Sequence, residues 1–155
     1  MKKLLVLSFG LFAATLSYAQ TTTLQDLDLS SNEGFPFITK APAGATSKEK
    51  YGEVQITLGK SFEMTINTMS KPYDVTKRKA EIKSNTVNIL KKWVVDAPEG
   101  GIYESEVFGK AQYHFFYTAK MGEDYVMIED TKNGDAYTLA QAQAMYDAAK
   151  ATHLK

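Results

Sequence analysis

Cysteine is absent from this chain of 155 residues. Disulfides, thiol nucleophiles, thiol redox chemistry and thiolate metal sites are excluded together. Arginine occurs once, at Arg78, which weakens any case for phosphate recognition. Neither sign of charge dominates, with 18 Lys+Arg against 18 Asp+Glu, so composition gives no reason to expect nucleic acid as a partner. No catalytic or cofactor motif stands out, and the chain reads as a non-enzyme. Without disulfides, stability has to come from apolar packing.

What is present begins with an address. Lys2 and Lys3 precede an apolar run, Leu4 to Leu16, and Ser17-Tyr18-Ala19 supplies small residues where a signal peptidase cuts. The pattern predicts a cleaved signal peptide over residues 1–19, with the cut near Ala19-Gln20. As a helix, Leu4 to Leu16 rises roughly 20 Å, short of the roughly 30 Å hydrocarbon core. No later stretch is apolar enough to span, so the mature chain is expected to be periplasmic or secreted, with no membrane insertion. Loss of Lys2 and Lys3 leaves 16 Lys+Arg against 18 Asp+Glu.

Residues 20–50 read as an extended N-terminal arm, with Leu24, Leu27, Leu29, Phe35, Phe37 and Ile38 as anchors. Residues 51–155 read as a single α+β domain. Val54, Ile56 and Leu58 alternate with polar residues, as do Phe62, Met64 and Ile66. A three-residue loop, Gly59-Lys60-Ser61, pairs Leu58 with Phe62, Ile56 with Met64 and Val54 with Ile66, keeping one face apolar. Asp74 is a suitable N-cap for a helix expected over Asp74 to Val94, with Ile82, Ile89, Leu90 and Trp93 on one stripe. Strands are expected over Ile102–Phe108, Gln112–Ala119 and Asp124–Asp130, and Asn133-Gly134 marks a turn. Thr138 and Gln141 form a capping box for a second helix running to about His153. The fold class is therefore α+β: an antiparallel sheet of about five strands with two helices on one face, in the order ββ-α-βββ-α.

A three-residue loop at Gly109-Lys110 puts Tyr103, Ser105 and Val107 on one face with Tyr113, Phe115, Tyr117, Val126 and Ile128. That is the side expected to carry the helices. The other face is then open and holds Glu104, Glu106, His114, Phe116, Tyr125, Met127 and Glu129. Its aromatics and methionine suit a protein partner, a small ligand or a homodimer contact. Cover by the N-terminal arm is the competing expectation.

In this register Glu106, His114 and Glu129 form one row, with neighbouring β-carbons roughly 5 Å apart. Two carboxylates around an imidazole can ligate a divalent metal or serve a proton-accepting histidine. The plainer reading is two exposed glutamates flanking a histidine on a solvated sheet. A two-residue loop gives Ser105, His114 and Glu129 instead, a nucleophile–base pattern without oxyanion donors. Glu129, Asp130, Asn133 and Asp135 make a poor calcium loop, since Thr131 and Ala140 stand where oxygen ligands belong. The basic stretch 71–92 reads as a solvated outer face rather than a lipid- or polysaccharide-binding surface.

The leading expectation is an exported, non-catalytic binding or interaction module using the open sheet face. A metal-dependent hydrolase or metal carrier using Glu106, His114 and Glu129 is the first alternative, and a structural envelope component the second. No other cofactor is implied.

Overall fold

Ten strands and two helices form where the computed structural model describes the chain, at residues 23–32, 34–131 and 136–155. The expected signal peptide and its cut site lie outside the described residues, as does the Asn133-Gly134 turn. No helix of the described residues is long and apolar enough to cross a membrane.

The expected arm carries β1 (Leu24–Asp28), β2 (Phe37–Pro42) and β3 (Thr46–Lys50). The next hairpin is β4 (Glu53–Leu58) with β5 (Phe62–Met69). Its register is the one the buried face demands: Leu58 opposite Phe62, Ile56 opposite Met64 and Val54 opposite Ile66. Helix α1 (Val75–Ser84) begins where expected, because Asp74 Oδ1 accepts the Lys77 amide at 2.8 Å.

That helix ends ten residues earlier than the apolar stripe suggests. Asn85 stops it: its side-chain oxygen accepts the amides of Val87 at 2.9 Å and Asn88 at 2.8 Å, a turn that competes with another helical bond. The chain then extends as β6 (Ile89–Ala97), so Ile89, Leu90 and Trp93 are strand residues. It is followed by β7 (Gly100–Val107), β8 (Lys110–Met121), β9 (Asp124–Asp130), α2 (Leu139–Lys150) and the short β10 (His153–Leu154). The Thr138–Gln141 capping box opens α2 as expected.

Seven strands make the main antiparallel sheet, in the order β3-β4-β5-β9-β8-β7-β6, and β1-β2-β10 make a small second sheet. The helices do not share a face. Helix α2 buries Ala142, Met145, Tyr146, Ala148 and Ala149 against Val54, Ile56, Ile66, Ile102, Phe115, Val126 and Ile128. Leu29, Phe35, Phe37 and Ala41 join this core, so the N-terminal segment covers the α2 side. Helix α1 lies across the opposite side, where Ile82 packs with Tyr103, Phe116 and Met127. Neighbouring residues Phe115 and Phe116 thus point into two different cores, as strand alternation requires.

The second hairpin corrects the expected register. Val107 pairs with Lys110, leaving a two-residue loop of Phe108 and Gly109. Both have positive φ, 50° and 77°, the geometry that matches a tight turn to strand twist. Tyr103 therefore faces His114, and Ser105 faces Gln112. Tyr103 and Ser105 leave the α2 face, and Ile102, Glu104 and Glu106 join it.

Candidate functional site

Helix α1 closes over the face expected to be open, and it does so incompletely. Phe116 is 1% exposed and Met127 4%, so they are core beneath Ile82 rather than a docking surface. Beside this small core the helix stands off the sheet and leaves a cleft of about 250 Å³. Arg78, Glu81 and Ile82 line it from α1, and Asn85 and Asn88 from the turn that follows. The floor is Tyr103 on β7, His114 on β8, and Glu129 and Asp130 on β9.

His114, Glu129 and Asp130 of the floor are each held by a specific partner. The β8–β9 ladder ends with Phe116 opposite Glu129, and beyond it the Asp130 side chain continues the job of the ladder. Its Oδ1 accepts the Phe115 amide at 2.9 Å, and its Oδ2 lies 2.7 Å from His114 Nδ1. Asp130 therefore accepts from Nδ1, leaving Nε2 as the ring atom turned to the rest of the cleft. Tyr103 stacks on the imidazole, with ring centroids 5.2 Å apart and planes at 28°. Burial, reinforced by the nearby Asp130 charge, pushes the Tyr103 phenol well above the usual tyrosine range. Across the cleft, Arg78 Nη2 donates to Glu129 Oε2 at 2.7 Å, joining α1 to β9. Lys79 makes a second tie, to Asp96 and to the Ala97 carbonyl, with its ammonium 5.4 Å from the Trp93 ring.

Asn88 Nδ2 sits 3.4 Å from His114 Nε2, a long contact. Asn88 Oδ1 and Arg78 Nε are buried and have no hydrogen-bond partner among the described residues. The cleft thus presents an imidazole fixed by Asp130, beside the Arg78–Glu129 pair. An aspartate-oriented histidine is the arrangement that general-base sites use. Among the described residues that line the cleft there is no serine or threonine: Ser105 lies across from Gln112, not His114, and is not part of it.

Of the residues expected to form a site, His114 and Glu129 do meet in the cleft. Glu104 and Glu106 lie on the other face, paired with Lys92 at 3.1 Å and Lys91 at 3.0 Å. The Glu106-His114-Glu129 row therefore does not form, and no group of three or more His, Asp or Glu among the described residues could hold a metal. Tyr125 is opposite Lys120, whose ammonium lies over its ring at 5.9 Å, apart from the cleft. Asn133 and Asp135 of the calcium reading are outside the described residues. Arg78, Glu81, Ile82, Asn85, Asn88 and Tyr103 were not expected as site residues, and Asp130 was weighed only as a calcium ligand. Only the Asx-type position of Asn85 carried a sequence signal, a polar turn former after a helical run. Comparison with protein-family models, with curated proteins and with solved structures found no match.

Proposed function

We propose that this chain is an exported, non-catalytic module that binds a small polar ligand in the cleft between α1 and the main sheet. Export rests on the N-terminal charge, apolar run and small-residue cut site. The binding reading rests on one observation above all: the cleft beneath α1 holds a histidine oriented by Asp130 beside the Arg78–Glu129 pair. The lining favours polar over apolar ligands, since an apolar molecule would strip water from Arg78, Glu81 and Asn88 without repaying it.

A thermal-shift screen of the processed protein against small sugars, amino acids, amines and carboxylates tests this. A compound at about 100 times its Kd adds about 2.7 kcal/mol to stability, several degrees in Tm. The same compound should have little effect on Asn88→Leu, which keeps the shape of the side chain and removes its donor and acceptor. No stabilising compound, or equal stabilisation of the variant, would count against the reading.

A further inference from the structure

Asn88 Nδ2 lies 3.4 Å from His114 Nε2, and an amide nitrogen can only donate. With Nδ1–H given to Asp130 Oδ2 at 2.7 Å, a neutral ring leaves Nε2 as an acceptor, which suits this contact. A ring protonated on both nitrogens cannot keep it, because Nε2–H would then face the N–H of the amide. Half a turn about the last rotatable bond of Asn88 removes the conflict. It brings Oδ1, which has no hydrogen-bond partner among the described residues, to the place Nδ2 holds, 3.4 Å from Nε2. The amide makes one bond to the ring in either orientation, so the two states differ in the strength of that bond. A charge-assisted bond is roughly twice as strong as a neutral one.

That bond spans two parts of the fold. His114 belongs to β8, and Asn88 to the turn between α1 and β6. The turn is held internally, by Asn85 Oδ1 on the Val87 and Asn88 amides, and α1 before it buries only Ile82. The charged side chains that line the cleft with His114 are Arg78 and Glu81 from α1, and Glu129 and Asp130 from β9. Three carboxylates against one guanidinium give a second ring proton net negative surroundings. Tyr103 of β7 is the remaining titratable group of the lining, and burial keeps its phenol protonated far above the histidine range.

We propose that His114 and Asn88 form a proton-controlled latch: protonation of the imidazole reverses the Asn88 amide and fastens the α1–β6 turn to β8, and deprotonation loosens it. The stronger bond exists only with the ring protonated. Its stabilisation is therefore present in acid and is lost as pH rises through the histidine range, about 5 to 8. Asn85 and Asn88 both line the cleft, so the latch sets how freely that wall moves. It operates whether or not a ligand is bound there.

Magnetic resonance on the processed protein, with no ligand added, tests this between about pH 5 and 8. The Asn88 side-chain amide should shift with the same midpoint as the His114 ring. Backbone amides of residues 85–88, corrected for the intrinsic pH dependence of exchange, should be protected about tenfold better at the acid end. Asn88→Ala should leave His114 titrating and abolish that difference. The other histidine, His153, is exposed near the chain end, and His153→Gln should change none of this. A His114 ring that keeps one protonation state across the range overturns the latch. So does an Asn88 amide unmoved while His114 titrates, or equal protection at both ends. The same pH dependence in a folded Asn88→Ala protein also overturns it. Should that variant fail to fold, the Asn88 amide of the native protein decides alone.

Discussion

His114 Nδ1 lies 2.7 Å from Asp130 Oδ2, while Asp130 Oδ1 accepts the Phe115 amide at 2.9 Å. One carboxylate thus ends the β8–β9 ladder and fixes the imidazole of the cleft. Asp130→Ala leaves two N–H donors without acceptors in a buried setting, and each such loss costs about 1–3 kcal/mol. A total of roughly 2–4 kcal/mol should appear as a lower urea midpoint with an unchanged slope. An unaltered midpoint would show that the carboxylate does not carry this load.

Ile82 is the only buried side chain of α1 and sits at 6% exposure over Tyr103, Phe116 and Met127. Beyond it the helix is joined to the sheet through Arg78–Glu129 and Lys79–Asp96. Ile82→Ala should cost roughly 2–4 kcal/mol, through lost burial and the cavity left behind. Amide exchange should speed first in α1 and in residues 85–88. Uniform acceleration across α2 as well would mean that the two cores do not respond separately.

Phe108 is 94% exposed and occupies the first position of a two-residue turn at φ 50°, a conformation that suits Asn or Gly and strains a bulky side chain. Phe108→Asn should therefore stabilise the protein by roughly 1 kcal/mol, seen as a raised Tm. A fall in Tm would indicate that the exposed ring has a partner within the fold.

Burial lifts the Tyr137 phenol to about 12, and raises the Tyr103 phenol above its ordinary value as well. An unfolded tyrosine releases its proton near pH 10, so above that pH the folded state binds more protons than the unfolded state. The resulting stabilisation is complete below about pH 10 and is lost as pH rises toward about 12. Urea midpoints followed from about pH 9 upward should fall across that window, and Tyr137→Phe should reduce the slope. A flat profile would mean that neither phenol is buried as described.

The parts of this fold that could be read in the sequence are those with one buried face. In β4 and β5, apolar residues alternate with polar ones, so only one register hides them. Strands β7 and β8 bury both faces: Ile102 and Tyr103 are neighbours in opposite cores, as are Phe115 and Phe116. Alternation then sets no register, and the turn does, through a left-handed Phe108 that nothing in composition signals. Strand β6 misleads for a different reason. Register shifts between Leu90 and Lys92, and between Trp93 and Val95, place Leu90 and Trp93 against the same cluster. A bulge thereby brings residues three apart onto one face, which is the spacing of a helix.

The site was legible in part. His114 pointing away from Tyr113, Phe115 and Tyr117 follows from strand parity, and the structure has that arrangement. Asp130 was not readable as its partner, because the carboxylate reaches the imidazole around the end of a ladder rather than across it. Arg78 and Asn88 followed from where α1 lies. A helix continued to Val94 and laid beside α2 could not bring them over His114.

The response of the two His114 ring nitrogens to the sugars, amino acids, amines and carboxylates of the screen tests the cleft most directly. A molecule bound beneath α1 should move the Nε2 resonance and leave Nδ1, held by Asp130, nearly in place. A stabilising compound that moves neither nitrogen would put its binding site elsewhere on the molecule and contradict the assignment of this cleft.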